Sequence, residues 1–178
     1  IATLKDNLYL IDSVDEQNGT FIKKFNNNFF EIESNMVIPI EKGSNFNLKK
    51  NQYIIYPYNL VDGKAFLKSE QQIQLESPNA FEYLLHVKSL LLQRSGKYSN
   101  DNWYQFGRTQ ALTNFKEKIL FPTNTDKPQF RLSKCPSLFY NGYAINGIKN
   151  VELTQDGLEV LLIILNSSLI YHEAGLLK

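Results

Sequence analysis

The sequence predicts an α+β fold of short mixed or antiparallel β-strands, with one long central helix and a C-terminal helical pair. The first third is rich in β-branched and aromatic residues. A later stretch repeats apolar residues at helical spacing. The resulting order of strands, helix, strands and helices differs from the strict alternation typical of a parallel α/β fold. With 178 residues, 43% of them hydrophobic, the chain can form one domain or two small ones.

The first 58 residues are predicted to form strands, because apolar and β-favouring residues cluster between turn signals. Asn26-Asn27 separates two such clusters and suits a two-residue hairpin turn. The predicted strands are residues 8–11, 20–25, 28–33, 37–40 and 52–58.

One strong helix follows. Ser77 is the predicted N-cap, and Pro78 suits the first helical position. Gly96 is the predicted stop, with the helix ending at residues 94–96. The apolar residues that recur near helical spacing are Phe81, Leu84, Leu85, Val87, Leu91 and Leu92.

Short strands and then helices complete the chain. Strands are predicted at residues 118–122, 130–132 and 138–140. Asn141-Gly142 is a hairpin signal, because this pair readily adopts the required turn. Thr154 is the predicted N-cap of a buried helix at 158–165, and a second helix is predicted to begin at Leu169.

Charge is unevenly distributed along the chain. The net charge is +1, but the segment from Arg94 to Lys134 has eight basic and three acidic residues, a local net charge of +5. All three arginines lie in this segment, and arginine is well shaped to hold phosphate or guanine. A solvated basic face is the simpler interpretation, since the fold must gather these charges on one surface before they can attract a polyanion.

The sequence predicts a cytoplasmic protein without a membrane partner. The longest apolar run, residues 160–165, is far shorter than the roughly 20 residues of a membrane span. The lone cysteine, Cys135, fits a reducing compartment. Residues 1–5 contain neither an initiator Met nor a signal pattern, so we expect the cut edge of a longer polypeptide.

No familiar catalytic or metal-binding motif occurs in the sequence. It contains no glycine-rich phosphate loop and no Gly-x-Ser-x-Gly elbow. The two histidines, His86 and His172, are far apart and have no partners at metal-ligand spacing. We therefore expect no catalytic residue, no metal and no cofactor in this chain.

An aromatic and basic cluster is the most informative feature. Trp103, Tyr104, Phe106 and Arg108 lie within six residues. Strand alternation would place Trp103 and Tyr104 on opposite faces. Core packing of all the aromatic residues is the simpler interpretation. The functional alternative is an edge that presents Arg108 and a polar-tipped aromatic residue to nucleic acid.

This cluster resembles the Trp-Tyr-x-x-Gly-Arg core of the TaqI-like specificity domain, the target-recognition domain of adenine-specific DNA methyltransferases and type IIG restriction-modification enzymes. Trp103, Tyr104, Gly107 and Arg108 match its fixed positions. Further segments are similar to the family in order and spacing, loosely before Ser77 and better after Tyr83. They are residues 37–45, 53–58, 83–94, 118–122, 128–130, 139–140 and 161–169.

The sequence departs from the pattern of this family in two ways. The family's Asn-Pro-Pro-Tyr motif is absent, so the resemblance implies that the catalytic domain, with its S-adenosylmethionine, lies upstream. The family's recognition domain also continues further, which implies a C-terminal truncation here. Residues 1–76 would then be a β-rich part linking to the upstream methyltransferase domain, and residues 77–178 would be the recognition core.

The resemblance implies a bacterial domain that binds double-stranded DNA and directs the catalytic domain, which flips its target base, to its site. The candidate phosphate contacts are Lys97, Lys116, Lys118, Lys127 and Lys134. Arg108 and Arg131 are candidates for tighter phosphate or guanine contacts. Arg108 fits a scaffold or phosphate role better than base reading, because its motif recurs in the family while the recognised DNA sequence varies.

Two alternatives stay open from the sequence. A protein-interaction or regulatory module without DNA binding would show dispersed basic residues and an exposed apolar patch. A small enzyme would show a large pocket with convergent acids or histidines. The sequence leaves undetermined which DNA sequence is recognised and whether the parent protein also cleaves DNA.

Overall fold

The computed structural model describes residues 1–15, 17–44, 52–96, 98–124, 129–133, 136–148 and 151–167. Within these residues the fold is α+β, with several small sheets and four α-helices. No helix in this described part has the length and apolarity that a membrane crossing requires.

The chain forms two compact units. The first is Ile1–Ile40 with Gln52–Thr113, and the second is Glu41–Asn51 with Asn114–Lys178. The division of the chain into residues 1–76 and 77–178 concerns its link to an upstream domain, and it stays a prediction.

The first unit contains three helices and several hairpin strands in its described part. The helices are α1 (Asp6–Tyr9), α2 (Glu70–Glu76) and α3 (Pro78–Leu92). The strands are β1 (Ser13–Asp15), β2 (Thr20–Phe25), β3 (Asn28–Ile32), β4 (Val37–Lys42), β5 (Gln52–Ile55), β6 (Tyr58–Val61) and β7 (Lys64–Leu67), with a 3-10 turn at Ser34–Met36 before β4. The last two residues of β4 belong to the second unit.

Two hairpins of this unit have similar tight turns. Asn26 and Asn27 join β2 to β3 with φ angles of 47° and 64°, as the sequence predicts. Asp62 and Gly63 join β6 to β7 with φ angles of 49° and 72°. Two consecutive positive φ angles are typical of a type I′ turn, whose twist matches that of the flanking strands.

Residues 8–11 do not form the predicted strand. Residues 6–9 form α1, which buries Leu8 and Tyr9. A four-residue helix is too short for apolar periodicity to reveal it. The predicted strand at residues 52–58 is also divided, into β5 and β6, and α2 lies where no helix was predicted.

The start of α3 is capped from outside the helix. Ser77 occupies the N-cap position, but its hydroxyl donates to Asn35 Oδ1 (2.8 Å) and caps nothing. The two carboxylate oxygens of Glu33 accept from the amides of Asn79 (2.8 Å) and Ala80 (2.9 Å). This acid satisfies amides that a helix leaves unpaired at its N-terminus. The helix ends at Leu92, before Gly96, whose φ is +144°.

The core of the first unit is aromatic and aliphatic. Tyr83, Val87 and Leu91 lie on the buried face of α3. Other fully buried residues come from α1, β5 and the segment after α3: Tyr9, Ile54, Ile55, Trp103, Tyr104 and Phe106. The apolar stripe of α3 faces this core, and Lys88 of α3 lies 4.6 Å from the centre of the Trp103 ring, in the segment that carries the aromatic and basic cluster.

The second unit consists of very short strands and one helix in its described part. The strands are β8 (Ile119–Phe121), β9 (Arg131–Leu132), β10 (Leu138–Tyr140), β11 (Tyr143–Ile145), β12 (Gly147–Ile148) and β13 (Val151–Glu152), and the helix is α4 (Gln155–Leu165). β8 pairs with β9 on one side and with β11 on the other. The Thr154 hydroxyl accepts from the Gly157 amide (3.3 Å), so the predicted N-cap is confirmed.

The predicted hairpin at Asn141-Gly142 is wrong. These residues turn the chain, but β11 pairs with β8 and not with β10. A Cβ on Gly142 would lie 2.6 Å from the carbonyl oxygen of Phe121 and 2.7 Å from the Cα of Gly43. Glycine is thus required because two other backbone segments approach closely.

The prediction of a buried C-terminal helix is also wrong. In α4, Leu158 is buried, whereas Val160, Ile163 and Ile164 are exposed. A continuous apolar run carries no polar face, so it does not reveal which side is covered. The second predicted helix, from Leu169, lies outside the described residues.

Candidate nucleic-acid interface

The aromatic residues of the cluster all point into the core of the first unit. Trp103, Tyr104 and Phe106 have exposed fractions of 0%, 1% and 1%. Trp103 Nε1 donates to Glu70 (2.5 Å), and the Tyr104 hydroxyl donates to the Lys68 carbonyl (2.6 Å). Burial raises the pKa of Tyr104 to about 12, so its phenol stays a neutral donor. Core packing is therefore confirmed for these rings.

Arg94 fixes the backbone of the cluster. The residue is 5% exposed, and its side chain donates hydrogen bonds to four carbonyl oxygens. These belong to Leu91 (2.8 Å), Thr3 (2.8 Å), Gln105 (2.9 Å) and Trp103 (2.6 Å). The guanidinium also lies 4.2 Å from the centre of the Tyr98 ring. Arg94 thus ties residues 103–105 to the end of α3 and to the N-terminal segment.

Two buried tyrosines hold the remaining backbone groups. The Tyr9 hydroxyl donates to the Tyr104 carbonyl (2.9 Å), and the Phe106 amide donates to the Tyr58 hydroxyl (2.7 Å). Burial raises the pKa of Tyr9 and of Tyr58 well above the usual range. Both phenols therefore stay protonated, and the cluster is held by a satisfied network rather than by a flexible loop.

Arg108 is the exposed residue at the end of this rigid segment. Its amide donates to the Ala2 carbonyl (2.9 Å), and its side chain lies at the surface. Among the described residues, its guanidinium makes no ion pair and no side-chain hydrogen bond. A Cβ on neighbouring Gly107 would lie 2.3 Å from Leu4 Cγ, so glycine permits a close contact there. The segment therefore presents a free guanidinium on a fixed backbone.

An open cleft of about 410 Å³ lies within the first unit. Its lining includes Thr109, the residue that follows Arg108 in the sequence. One wall is the β6–β7 hairpin, and the other is the segment that contains Arg108. The lining residues are Tyr58, Gly63, Lys64, Ala65, Leu67, Gln105, Thr109, Ala111, Leu112 and Thr113. Among the described residues, this lining contains one cation, Lys64, and no carboxylate, so it is compatible with a polyanion.

A second cleft, of about 490 Å³, lies between the β2–β3 hairpin and α3. Its lining is Asn28, Phe29, Phe30, Glu31, Asn79, Glu82 and His86. Its described lining contains two carboxylates and neither Lys nor Arg, which disfavours a polyanion. His86 packs against the rings of Phe25 and Phe30, and no group of three metal-ligand side chains exists among the described residues.

In the second unit, two of the candidate cations are buried. Lys118 is 0% exposed and donates to the Ser137 carbonyl (2.6 Å). Arg131 is 7% exposed, pairs with Glu41 and donates to the Lys42 carbonyl (3.1 Å). Neither side chain is presented to a phosphate, and we remove both from the candidate set.

Glu41 is the centre of this polar core. It also accepts from the hydroxyls of Ser133 and Ser137. Burial alone would raise the pKa of Glu41, but these hydroxyls and Arg131 outweigh burial and hold it below its usual value. Arg131 Nε is buried without a hydrogen-bond partner among the described residues, but the hydrogen bonds to Glu41 hold the pair together, and it serves the fold of the second unit.

Of the remaining lysine candidates for DNA contacts, one lies among the described residues. Lys116 is exposed and paired with Glu152. Lys97, Lys127 and Lys134 lie outside the described residues. Sequence reasoning did not single out Lys64 or the bracing role of Arg94. The Asp62-Gly63 pair is a hairpin signal that could have indicated Lys64, whereas nothing in the local sequence distinguishes Arg94.

The chain has limited similarity to known proteins. No family model matches it. It is 23% identical over 128 residues to the type II restriction enzyme and methyltransferase RM.Eco57I of Escherichia coli. The match covers 64% of this chain and 13% of that protein, so the matched region is a small part of the relative's length. The likeness supports a relation to restriction-modification enzymes.

Proposed function

We propose that this chain is a DNA target-recognition domain of a restriction-modification enzyme, of the TaqI-like specificity type. It binds duplex DNA through Arg108 and the cleft that contains Lys64. The observation that carries the proposal is the exposed side chain of Arg108 at the end of a backbone segment held by Arg94, Tyr9 and Tyr58. The backbone that carries this side chain is already ordered, so binding a phosphate costs only the side-chain entropy of the arginine.

The wider context is part of the same proposal. Relation to RM.Eco57I, named as both a restriction enzyme and a methyltransferase, supports a DNA-related role. The catalytic chemistry, with S-adenosylmethionine, belongs to an upstream domain of a cytoplasmic, bacterial parent protein. That domain is also the partner within the parent. This chain would place the duplex so that the target base reaches the catalytic pocket.

Lys116 has a weaker part in the proposal. Its ion pair with Glu152 joins two exposed side chains, 60% and 66% accessible. Exposed pairs contribute about 0 to 1 kcal/mol, so a phosphate could displace Glu152 at small cost. The contribution of Lys116 to binding should therefore be smaller than that of Arg108.

The test is fluorescence anisotropy with random-sequence duplex DNA, at low salt and at about 200 mM salt. Wild type should bind in a salt-sensitive way. Arg108→Ala should weaken binding and lower the salt slope by about one, because one phosphate contact is lost. Lys24→Ala is the matched control. Lys24 is an exposed cation of the same unit beside the acidic cleft, and its loss should leave the slope unchanged.

Absence of binding by the folded wild-type chain at low salt would contradict the proposal. One observation would then favour a protein-interaction module, namely the exposed apolar residues Val160, Ile163 and Ile164 of α4. Equal effects of Arg108→Ala and Lys24→Ala would also contradict the assigned surface, since they would indicate a diffuse effect of net charge.

A further inference from the structure

We propose that the β6–β7 hairpin, Tyr58–Leu67, is the element that reads base edges, by entering the major groove of the duplex. This inference rests on the proposed function and deepens it, because Arg108 accounts for affinity and not for sequence preference. Four observations carry the inference: the shape of the hairpin, its exposed side chains, the charge around it and its fixed base.

The shape of the hairpin suits a groove. Four residue pairs join β6 and β7 in register, from Tyr58↔Leu67 to Val61↔Lys64, and a two-residue turn closes them. The major groove is about 12 Å wide and admits a two-stranded β-ribbon. A narrow turn without inserted loop residues keeps the tip slim enough to enter.

Three exposed side chains of the hairpin are apolar. Leu60, Val61 and Phe66 are 50%, 51% and 53% exposed. The register places Phe66 opposite Asn59, and Val61 opposite Lys64, so Val61, Lys64 and Phe66 share one face. Apolar side chains in the major groove contact the thymine methyl group, which no other base carries. This face can therefore distinguish bases by shape.

The polar groups at the tip suit a base edge. Lys64 can donate to the O6 and N7 acceptors of guanine. The turn residue Asp62 is exposed, and a carboxylate there can accept from the cytosine amino group. The adjoining cleft contains no carboxylate among its described lining residues.

The base of the hairpin is fixed to the segment that carries Arg108. The Tyr58 hydroxyl accepts from the Phe106 amide (2.7 Å), and the Lys68 amide donates to the Pro57 carbonyl (3.0 Å). The Asn59 and Gln72 amide groups bond to each other (2.9 Å). A contact of Arg108 with phosphate would thus set the position of the hairpin, which is how backbone contacts fix the register of a reading element.

The first unit contains its own matched control. The β2–β3 hairpin has the same kind of turn and also carries an exposed lysine and phenylalanine, Lys24 and Phe29. Its adjoining cleft is lined by Glu31 and Glu82. The same pair of alanine substitutions can therefore be made on both hairpins, with opposite expectations.

The experiment is selection of a random-sequence duplex library by the full 178-residue chain. Wild type, Lys64→Ala/Phe66→Ala and Lys24→Ala/Phe29→Ala are run in parallel, and the enriched sequences are counted. Wild type should enrich a defined sequence. The β6–β7 double variant should lose about tenfold or more of that discrimination, since a good base contact contributes about 1 to 3 kcal/mol. The β2–β3 double variant should keep the wild-type preference.

Several outcomes would overturn the inference. They are a wild-type preference retained by the β6–β7 variant, an equal loss in both variants, or salt-sensitive wild-type binding without any preference. Each leaves the proposed DNA binding intact, whereas absence of any duplex binding overturns both proposals. Thermal unfolding checks the fold, and the single variants Lys64→Ala and Phe66→Ala keep the test independent of the double variant's stability.

Discussion

The two tight hairpins of the first unit look alike locally and differ in their surroundings. Each has a turn with two positive φ angles, an exposed phenylalanine and a lysine. Lys24 lies 5.3 Å from the centre of the Phe29 ring, beside a cleft with two carboxylates. Lys64 instead lines a cleft that has no carboxylate in its lining. Neighbouring elements therefore decide the charge of the surface beside each hairpin.

The hairpins also differ in how they are attached. Phe30 of β3 packs against Tyr83 and His86 of α3 (5.2 and 5.3 Å between ring centres), and Glu33 caps that helix. The described contacts of β6–β7 lie mainly at its base, through Tyr58 and Asn59. We infer that β2–β3 serves mainly the fold, whereas β6–β7 leaves its tip available.

The largest loss of stability should come from substituting Arg94, which holds the segment beside the β6–β7 cleft. Arg94→Met removes four hydrogen bonds to carbonyl oxygens that lie in or near the core. We expect a loss of about 3 kcal/mol or more in the free energy of unfolding, because each unpaired buried group costs about 1 to 3 kcal/mol. Urea denaturation followed by circular dichroism measures it.

Arg108→Met is the control for Arg94. Arg108 is exposed, and surface substitutions usually change stability by less than about 0.5 kcal/mol. Similar losses in the two variants would show that Arg94 is not the brace of the cluster. The contrast between a structural arginine and the arginine proposed to contact DNA would then fail.

An intermediate loss of stability should come from weakening the contact between Glu33, which follows β3, and the start of α3. Glu33→Gln weakens the cap of α3, and we expect a loss of about 0.5 to 2 kcal/mol in the free energy of unfolding. Glu31→Gln, on the exposed side of β3, should change it by less than about 0.5 kcal/mol. Both variants are measured by urea denaturation, and duplex affinity should be unchanged in both. A loss of affinity in Glu33→Gln would indicate that β2–β3 takes part in binding.

The smallest effect should come from the exposed rings themselves. Phe29→Leu removes the contact with the Lys24 ammonium, and about 0.5 to 1 kcal/mol is expected for an exposed cation–π pair. Phe66→Leu should cost less than about 0.5 kcal/mol. Thermal unfolding measures both losses, and Phe29→Leu should show the larger one. A larger loss for Phe66→Leu would mean that Phe66 is needed for the fold, which would weaken its assignment as a reading residue.

The basic segment shows what a charge count leaves out. Residues 94–134 have a net charge of +5, yet Arg94, Lys118 and Arg131 are buried. Each satisfies carbonyl or carboxylate oxygens inside its own unit. Of the cations that are described there, Arg108 and Lys116 are exposed. Lysine and arginine donate hydrogen bonds wherever acceptors lie, so their number does not fix their location.

Features that depend only on neighbouring residues could be predicted from the sequence. The α+β composition, the Asn26-Asn27 turn and the Thr154 cap follow from preferences that act within a few residues of the chain. The burial of the aromatic cluster also agrees with its apolar character.

Tertiary structure alone decided the features that depend on distant residues. Glu33 caps α3 across 46 positions of the chain, and the Tyr58 hydroxyl meets the Phe106 amide across 48. The four oxygens around Arg94 come from three separate segments. A polar group can pair with any partner that the fold places beside it, however distant in the sequence. The candidate interface could therefore be identified only from the tertiary structure.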